Sequence, residues 1–542
     1  MPPVDLHPLP YKNGFMFTSP GGTDTISARM RRILFVICAL IFACGSGCGS
    51  APKKSASLRL AFNAPPATFD PRKSGDFLSS TLIYLIYEGL TRDAPVGVEP
   101  ALAESWEVSD DGLVYTFRLR KSYWSDGRPV TASDFETSWK AVVDPAFGSL
   151  ASYLMFPIKN AERRAKGEVS SDEVAIRSLD EETLQVELER PTPYFLSLTA
   201  FPLFLPYPSH ADGAVYNGPF RIEKNEPNAE IRLAKNLSFW NRGQVHLDEI
   251  RIQIIPDENT ALQLFERNEV DWLGSPLAPL PADSLPALKD KVQYLPMAAS
   301  TFLAFNMETV PFQNLKLRQA LSLSVNPERI VSEIAHGQIA AARPLPPALF
   351  DRPLEPLYSP ADGAKARALY GEALSELGLS KLEGLTLYYK IAGGIEKRVA
   401  QALQREWKEA LGLEVRIEQL DPKTHLEKLH RRDFQIALGI WIAQFQDPVN
   451  ILERYRLPSN KKNFAGWENS RFAALVDQSG MELDPEKRLA ILLEAERIFA
   501  EELPVFPLYH WTSPSLAAPR LKEIVTTAGG TVLFERLEIN ER

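Results

Sequence analysis

Cysteine is confined to the first 48 residues: Cys38, Cys44 and Cys48 are its only copies, and residues 49–542 have none. The body of the chain therefore holds no disulfide, no thiolate metal site and no cysteine nucleophile. Histidine is nearly as scarce, with seven copies at positions 7, 210, 246, 336, 425, 430 and 510. His425 and His430 stand five apart, on different faces of a helix, which makes them poor co-ligands. No His-Glu-x-x-His, no Gly-x-Ser-x-Gly and no phosphate-cradling glycine loop occurs. No metal site, no cofactor and no catalytic residue is expected, and nothing argues for an enzyme. Excess positive charge is missing too: 60 Lys and Arg face 69 Asp and Glu, for a net charge of −9, so the chain lacks the footprint of a nucleic-acid binder. No period of 20–50 residues recurs, which excludes a solenoid.

What is present fits an ordinary globular chain. At 542 residues, 45% hydrophobic and 24% charged, it is long enough for two or three domains with sizeable cores. Met30–Ser50 reads "MRRILFVICALIFACGSGCGS", two arginines followed by eleven apolar residues, Ile33 to Ala43, and then small residues. That is the pattern of a secretory signal peptide, too short to span a bilayer stably. Residues 1–29 carry no targeting logic and read as a dispensable or non-native extension, with Met30 a candidate start. A cysteine after small residues at the end of such a leader resembles the lipobox of bacterial lipoproteins. Cys48, after Gly45-Ser46-Gly47, is the preferred lipidation site and Cys44 the alternative. On this reading 30–47 is the signal peptide, 48–56 a tether, and the mature protein sits outside the cytoplasm on a lipid anchor; one acyl chain alone would hold it only marginally.

In the body, short strands alternate with amphipathic helices, the signature of an α/β or α+β protein. "SLRLAFNAP" (57–65), "LVYTFRLR" (113–120), "AEIRLAKN" (229–236) and "LDEIRIQIIP" (247–256) alternate as strands. "STLIYLIYEGL" (80–90) reads as a helix ended by Gly89. Thr131 with Asp134 opens a capping-box helix that Asp144-Pro145 closes. "LTLYYKIA" (385–392), "EKRVAQALQREWKEALG" (396–412) and "EVRIEQL" (414–420) form a βαβ-like unit.

Four longer phrases, "LAESWEVSDDGLVYTFRLRKSYWSDGRPVTASDFETSWKAVVDP" (102–145), "NGPFRIEKNEPNAEIRLAKNLSFWN" (217–241), "FNMETVPFQNLKLRQALSLSVNPERIV" (305–331) and "NFAGWENSRFAALVDQS" (463–479), closely resemble the solute-binding proteins of peptide-type ABC importers, the oligopeptide- and dipeptide-binding family. The resemblance runs from about residue 57 to the C-terminus. It implies a two-lobed α/β fold of Venus-flytrap type with an extra α+β domain inserted in the first lobe. Lobe I would comprise 57–92, 193–297 and 509–542, the inserted domain 93–192, and lobe II 298–508. The implied function is capture of oligopeptides or peptide-like solutes by lobe closure and delivery to membrane permease subunits. A monomer is expected. Other solutes (chelated metal, haem, sugar) and a peptide-handling chaperone or hydrolase remain as alternatives.

The resemblance also implies a site in "GIWIAQFQDPVN" (439–450). There a strand, Leu438, Gly439, Ile440 and Trp441, would add the ligand backbone as a further strand, with Trp441 lining side-chain pockets and Phe445 nearby. Family peptide binders commonly carry an aspartate three residues after the tryptophan that meets the ligand amine; here it is Gln444. An amide for a carboxylate removes a charge-assisted hydrogen bond, a loss on the order of 1–3 kcal/mol. Asp447 would either take over the amine or cap the following helix, with the cap preferred. Leu438 stands where oligopeptide binders place an arginine. In the first-lobe loop 70–79, Ser74, Gly75 and Phe77 would face the ligand, Gly75 in place of an acidic residue. Leu150 stands where some relatives have a tyrosine, and Tyr153 is close by. Together these departures predict an apolar pocket with little reliance on charges at the ligand's ends. Trp441 as core packing, Gln444 as a surface residue and Phe77 and Tyr153 as domain-interface packing are the plain alternatives, and Trp106 and Trp124 read as core of the inserted domain.

Overall fold

Two strands of 13 residues each, Gln293–Phe305 and Val505–Ala517, form the spine of the fold. The structure is a computed structural model that describes residues 56–94, 97–149, 151–208, 214–391, 394–522, 524–526 and 530–540; the leader with Cys44 and Cys48, and Leu150, lie outside them. Residues 297–305 are buried without a break, as expected of a central strand covered on both faces. At the usual rise, such a strand runs for about 43 Å, enough to pass through both halves of a large sheet. The two pair antiparallel, Leu303 opposite Phe506 and Ser300 opposite His510, with irregularities between Pro296 and Ser300 and between Thr301 and Phe302. Interruptions of this kind locally bend a ladder.

On one side of the spine lie Ile436–Ile442, Leu385–Lys390 and Val415–Leu420. On the other lie Trp272–Gly274, Ser57–Phe62, Glu249–Ile254, Glu230–Lys235 and Phe220–Glu226. The sequence boundaries expected at 297/298 and 508/509 fall inside the two shared strands. The βαβ unit forms as the periodicity predicts. Leu385–Lys390 and Val415–Leu420 are parallel, and the joining helix Ile395–Leu411 buries Val399, Leu403 and Trp407, an i, i+4, i+8 stripe.

Ala103–Val108, Val114–Leu119, Thr183–Glu187 and Ile176–Ser178 make a separate four-stranded sheet. Helix Ala132–Val142 begins at the predicted capping box, where the Thr131 amide donates to Asp134 Oδ2 at 2.9 Å. It turns Phe135, Trp139 and Val142 inward. Trp124 is buried, and Trp106 packs half-buried against the same core. One boundary is corrected: the helix of the "STLIYLIYEGL" region spans Phe77–Ile86, so Gly89 does not end it. Gly89 answers a close approach instead, since a Cβ there would stand 2.7 Å from the Leu205 side chain and 3.1 Å from the Thr91 carbonyl.

Candidate functional site

Strand Ile436–Ile442 pairs with Gln293–Phe305 along its whole length, from Ile436 opposite Phe305 to Ile442 opposite Ala299. Its other neighbour, Leu385–Lys390, reaches only Ile436 and Ala437. From Leu438 onward the strand thus has an edge with no strand beside it among the described residues. The Ala443 amide donates to the Ala298 carbonyl at 2.8 Å. Antiparallel alternation then turns the backbone groups of Gly439 and Trp441 toward Gln293–Phe305 and those of Ile440 and Ile442 toward the open edge.

The same alternation decides the side chains. Gly439 lies against Phe302, where a Cβ would stand 2.5 Å from the ring. Trp441, on the same face, is 2% exposed, with its ring centroid 4.5 Å from that of Phe302 and 6.0 Å from that of Tyr455. Its indole N–H is buried without a partner among the described residues. The expectation that Trp441 lines a ligand pocket is therefore not met in this structure: it is core beneath the strand, and Leu438 is buried as well. Ile440 is half-buried.

Beyond the strand the chain turns into a cavity of about 960 Å³. Tyr153, Arg190 and Tyr194 form one wall, and Gln444, Asn450 and Arg454 the other. Gln444 Nε2 donates to the Tyr153 hydroxyl in a short contact. Phe445 stacks on Tyr194, centroids 5.0 Å apart and rings 7° from parallel. Asp447 is occupied: both of its oxygens meet Arg488, at 2.6 and 3.0 Å, and Oδ1 accepts from the Val449 amide at 2.9 Å. Asp447 stands one residue before the N-cap, Pro448, of the helix Val449–Leu452, and an ion pair not visible in the sequence holds it there.

Ser74, Gly75 and Phe77 stand apart from this cavity. Ser74 is buried with its Oγ 2.9 Å from Ser80 Oγ, and Gly75 is exposed with nothing within 4 Å of where a Cβ would lie. Phe77 opens the helix that Asp76 caps through the Ser79 amide at 2.8 Å. Leu150 lies outside the described residues.

The expectation of an apolar pocket is corrected by the cavity wall, to which Arg190, Glu453, Arg454, Arg456, Lys461 and Lys462 contribute. These residues come from segments beyond the motif, so reading the motif alone left them out. Arg454 was within reach of sequence reasoning, because Asn450 and Arg454 are four apart in "VNILERYR" and share a helical face. Its Nη2 donates to the Ile442 carbonyl at 2.8 Å and to Asn450 Oδ1 at 3.0 Å, and its Nε to the Asn450 carbonyl at 3.0 Å. Burial lowers its pKa from the ordinary arginine value. Gln446 was also missed; its Oε1 accepts from the Gly97 amide at 3.1 Å, a contact between segments far apart in sequence that no local pattern announces.

Two halves of one α/β sheet joined by a pair of long strands, with a cavity beside an open strand edge, define the two-lobed class of solute-binding proteins. Residues 97–463 match the bacterial extracellular solute-binding proteins, family 5 (middle region), and the chain belongs to that family, which consists of solute-binding proteins and not enzymes. The oligopeptide-binding protein OppA of Bacillus subtilis is 35% identical over 531 residues, 93% of this chain and 97% of that protein. The dipeptide-binding protein DppE of the same organism is 30% identical over 482 residues, 85% of this chain and 88% of its own. Among solved structures, the unliganded open form of the periplasmic murein tripeptide binding protein MppA superposes with a TM-score of 0.79 at 24% identity, covering 90% of this chain and 98% of that one. Among the described residues no group of three or more His, Cys, Asp or Glu could hold a metal ion, and no helix is long and apolar enough to cross a membrane.

Proposed function

We propose that this protein captures peptides or peptide-like solutes outside the cytoplasm and hands them to the permease subunits of an ABC importer. The observation that carries this reading is the open edge at Ile440, which runs up to the Ile442 carbonyl held by Arg454 and to the cavity wall at Gln444. An extended peptide added there gains main-chain hydrogen bonds that do not depend on its side chains, and the charged, roomy cavity leaves space for bridging water. Gln444, Phe445 and Tyr153 are the side chains nearest the ligand's end. Lobe I (57–92, 193–297 and 509–542) with its inserted domain (93–192) closes on lobe II (298–508) by bending the two shared strands, which brings Ser74, Gly75 and Phe77 to the opposite side of the solute. A lipid on Cys48, or on Cys44, tethers the protein at the membrane. The relatives' peptide specificities support the ligand class.

Native mass spectrometry of the purified protein tests this directly. Adducts that fragment into intact short peptides are expected; bound sugars or metal chelates with no peptide, or peptides cleaved during incubation, would overturn it.

A further inference from the structure

Around Gln444 the charges do not balance. Glu453 is engaged by Arg190 at 3.4 Å, Arg456 by Asp477 at 2.9 Å, and Glu162 by Lys166 at 2.8 Å. Glu189 accepts from the Asn160 amide at 3.1 Å. Arg454, Lys461 and Lys462 line the same cavity with no carboxylate within ion-pair distance among the described residues. Arg454 is the unusual one of the three. Its Nε and Nη2 are held by neutral oxygens only, the Ile442 carbonyl and the carbonyl and side chain of Asn450, and its Nη1 has no partner among the described residues. A guanidinium fixed in this way, half-buried and without an anion, keeps one free donor in place at little further entropic cost.

The surroundings complete a recess for a negative group. Asn450 Oδ1 also accepts from the Gln444 amide at 3.3 Å, so Gln444 and Arg454 are separated by a single side chain. Lys462 Nζ lies 3.5 Å from the Tyr153 hydroxyl and 4.9 Å from the centre of its ring. Gln444, whose amide has donors to offer, adds no negative charge. Arg454 also binds the last carbonyl of the open strand, so a chain added along Ile440 ends where the cations are.

Building on the peptide-capture reading, we propose that this end of the cleft is a carboxylate subsite, with Arg454 the fork and Lys462 a second cation, and that the ligand presents an anion there and not an ammonium. The anion is either the C-terminal carboxylate of the peptide or an acidic side chain near its end. Arg454 contacts the ligand; Asn450 is a positioning residue that holds the guanidinium.

The test is calorimetric titration of the purified protein with penta-alanine, its C-terminal amide, its N-acetyl form, and the amide carrying glutamate as the fourth or fifth residue. In the wild type, amidation weakens binding at least tenfold and acetylation less than threefold. Glutamate in the amide recovering most of the loss assigns the subsite to side chains; no recovery assigns it to the terminus; both support the proposal. In Arg454→Gln the amidation penalty falls below threefold, and in Arg454→Lys it is intermediate. Because Arg454 also ties down the strand end, Lys462→Gln provides a second reading that does not depend on that variant folding, with the penalty reduced at least twofold. An amidation penalty under threefold in the wild type with no gain from glutamate, or one unchanged in the variants, overturns the subsite while leaving peptide capture intact. Binding of no peptide form at all overturns peptide capture, and the subsite with it.

Discussion

At the scale of single residues, the motif that drew attention in the sequence divides three ways. Trp441 faces inward, Asp447 is consumed by Arg488, and Gln444, Phe445 and Asn450 meet the cavity. Asp447 and Arg488 are a buried pair, with side chains 10% and 11% exposed, and such pairs are costly to break from one side. Arg488→Met strands the Asp447 carboxylate and is expected to cost about 3–5 kcal/mol, while Asp447→Asn combined with Arg488→Met recovers more than half of that loss; urea unfolding of the wild type, the two single variants and the double variant measures it. Additive losses would mean that the pair contributes little through its mutual attraction. Gln444→Asp places a carboxylate one side chain away from Arg454. C-terminal amidation should then matter less, while free-amine and N-acetylated peptides shift alike, both read by competition titration. A gain confined to free-amine peptides would show that this end of the cleft takes the ligand's amine and not an anion.

At the scale of elements, the two long strands set the behaviour of the whole sheet. Across them the Ser300 hydroxyl and His510 Nδ1 lie 2.7 Å apart, both residues fully buried. Burial lowers the His510 pKa from 6.5 to about 3, so the folded protein holds this imidazole neutral. A folded pKa below the unfolded one means that the unfolded chain binds the extra proton first. The stability due to His510 is therefore complete above pH 6.5 and is lost as the pH falls toward 3. Thermal unfolding followed from pH 7.5 to 4 should show a shallower acid-side decline in His510→Gln than in the wild type, after both are scaled to their own value at pH 7.5; parallel curves would remove His510 as a contributor. Several of these elements were legible beforehand. The capping box at Thr131 and the βαβ unit at 385–420 are written in short-range spacing, and local chemistry is enough to form them. The helix ending at Ile86 was misread because Gly89 resembles a stop signal, whereas its actual constraint is the Leu205 side chain, more than a hundred positions away.

At the scale of the molecule, the two halves of the sheet share two long strands whose ladder is irregular near Pro296–Ser300 and Thr301–Phe302, and the proposed closure would bend them there. A solute touching both halves favours the closed population by its extra contacts. Small-angle scattering on the purified protein should record a smaller radius of gyration with saturating peptide than without, and the change should vanish for a peptide that fails to bind. An unchanged radius with bound peptide would exclude closure as the capture step.

Hydrophobic period, caps and family phrases are local and survive without a partner, so the class of fold, the family and the candidate strand can be read from them directly. Which face of that strand looks into the core, which carboxylates are already neutralised, and that Arg454 and Lys462 have no anion beside them among the described residues emerge only on folding. Those outcomes depend on side chains brought together from Phe302, Arg488 and Tyr153, and a charge becomes available for a ligand only when folding gives it no nearer counter-ion.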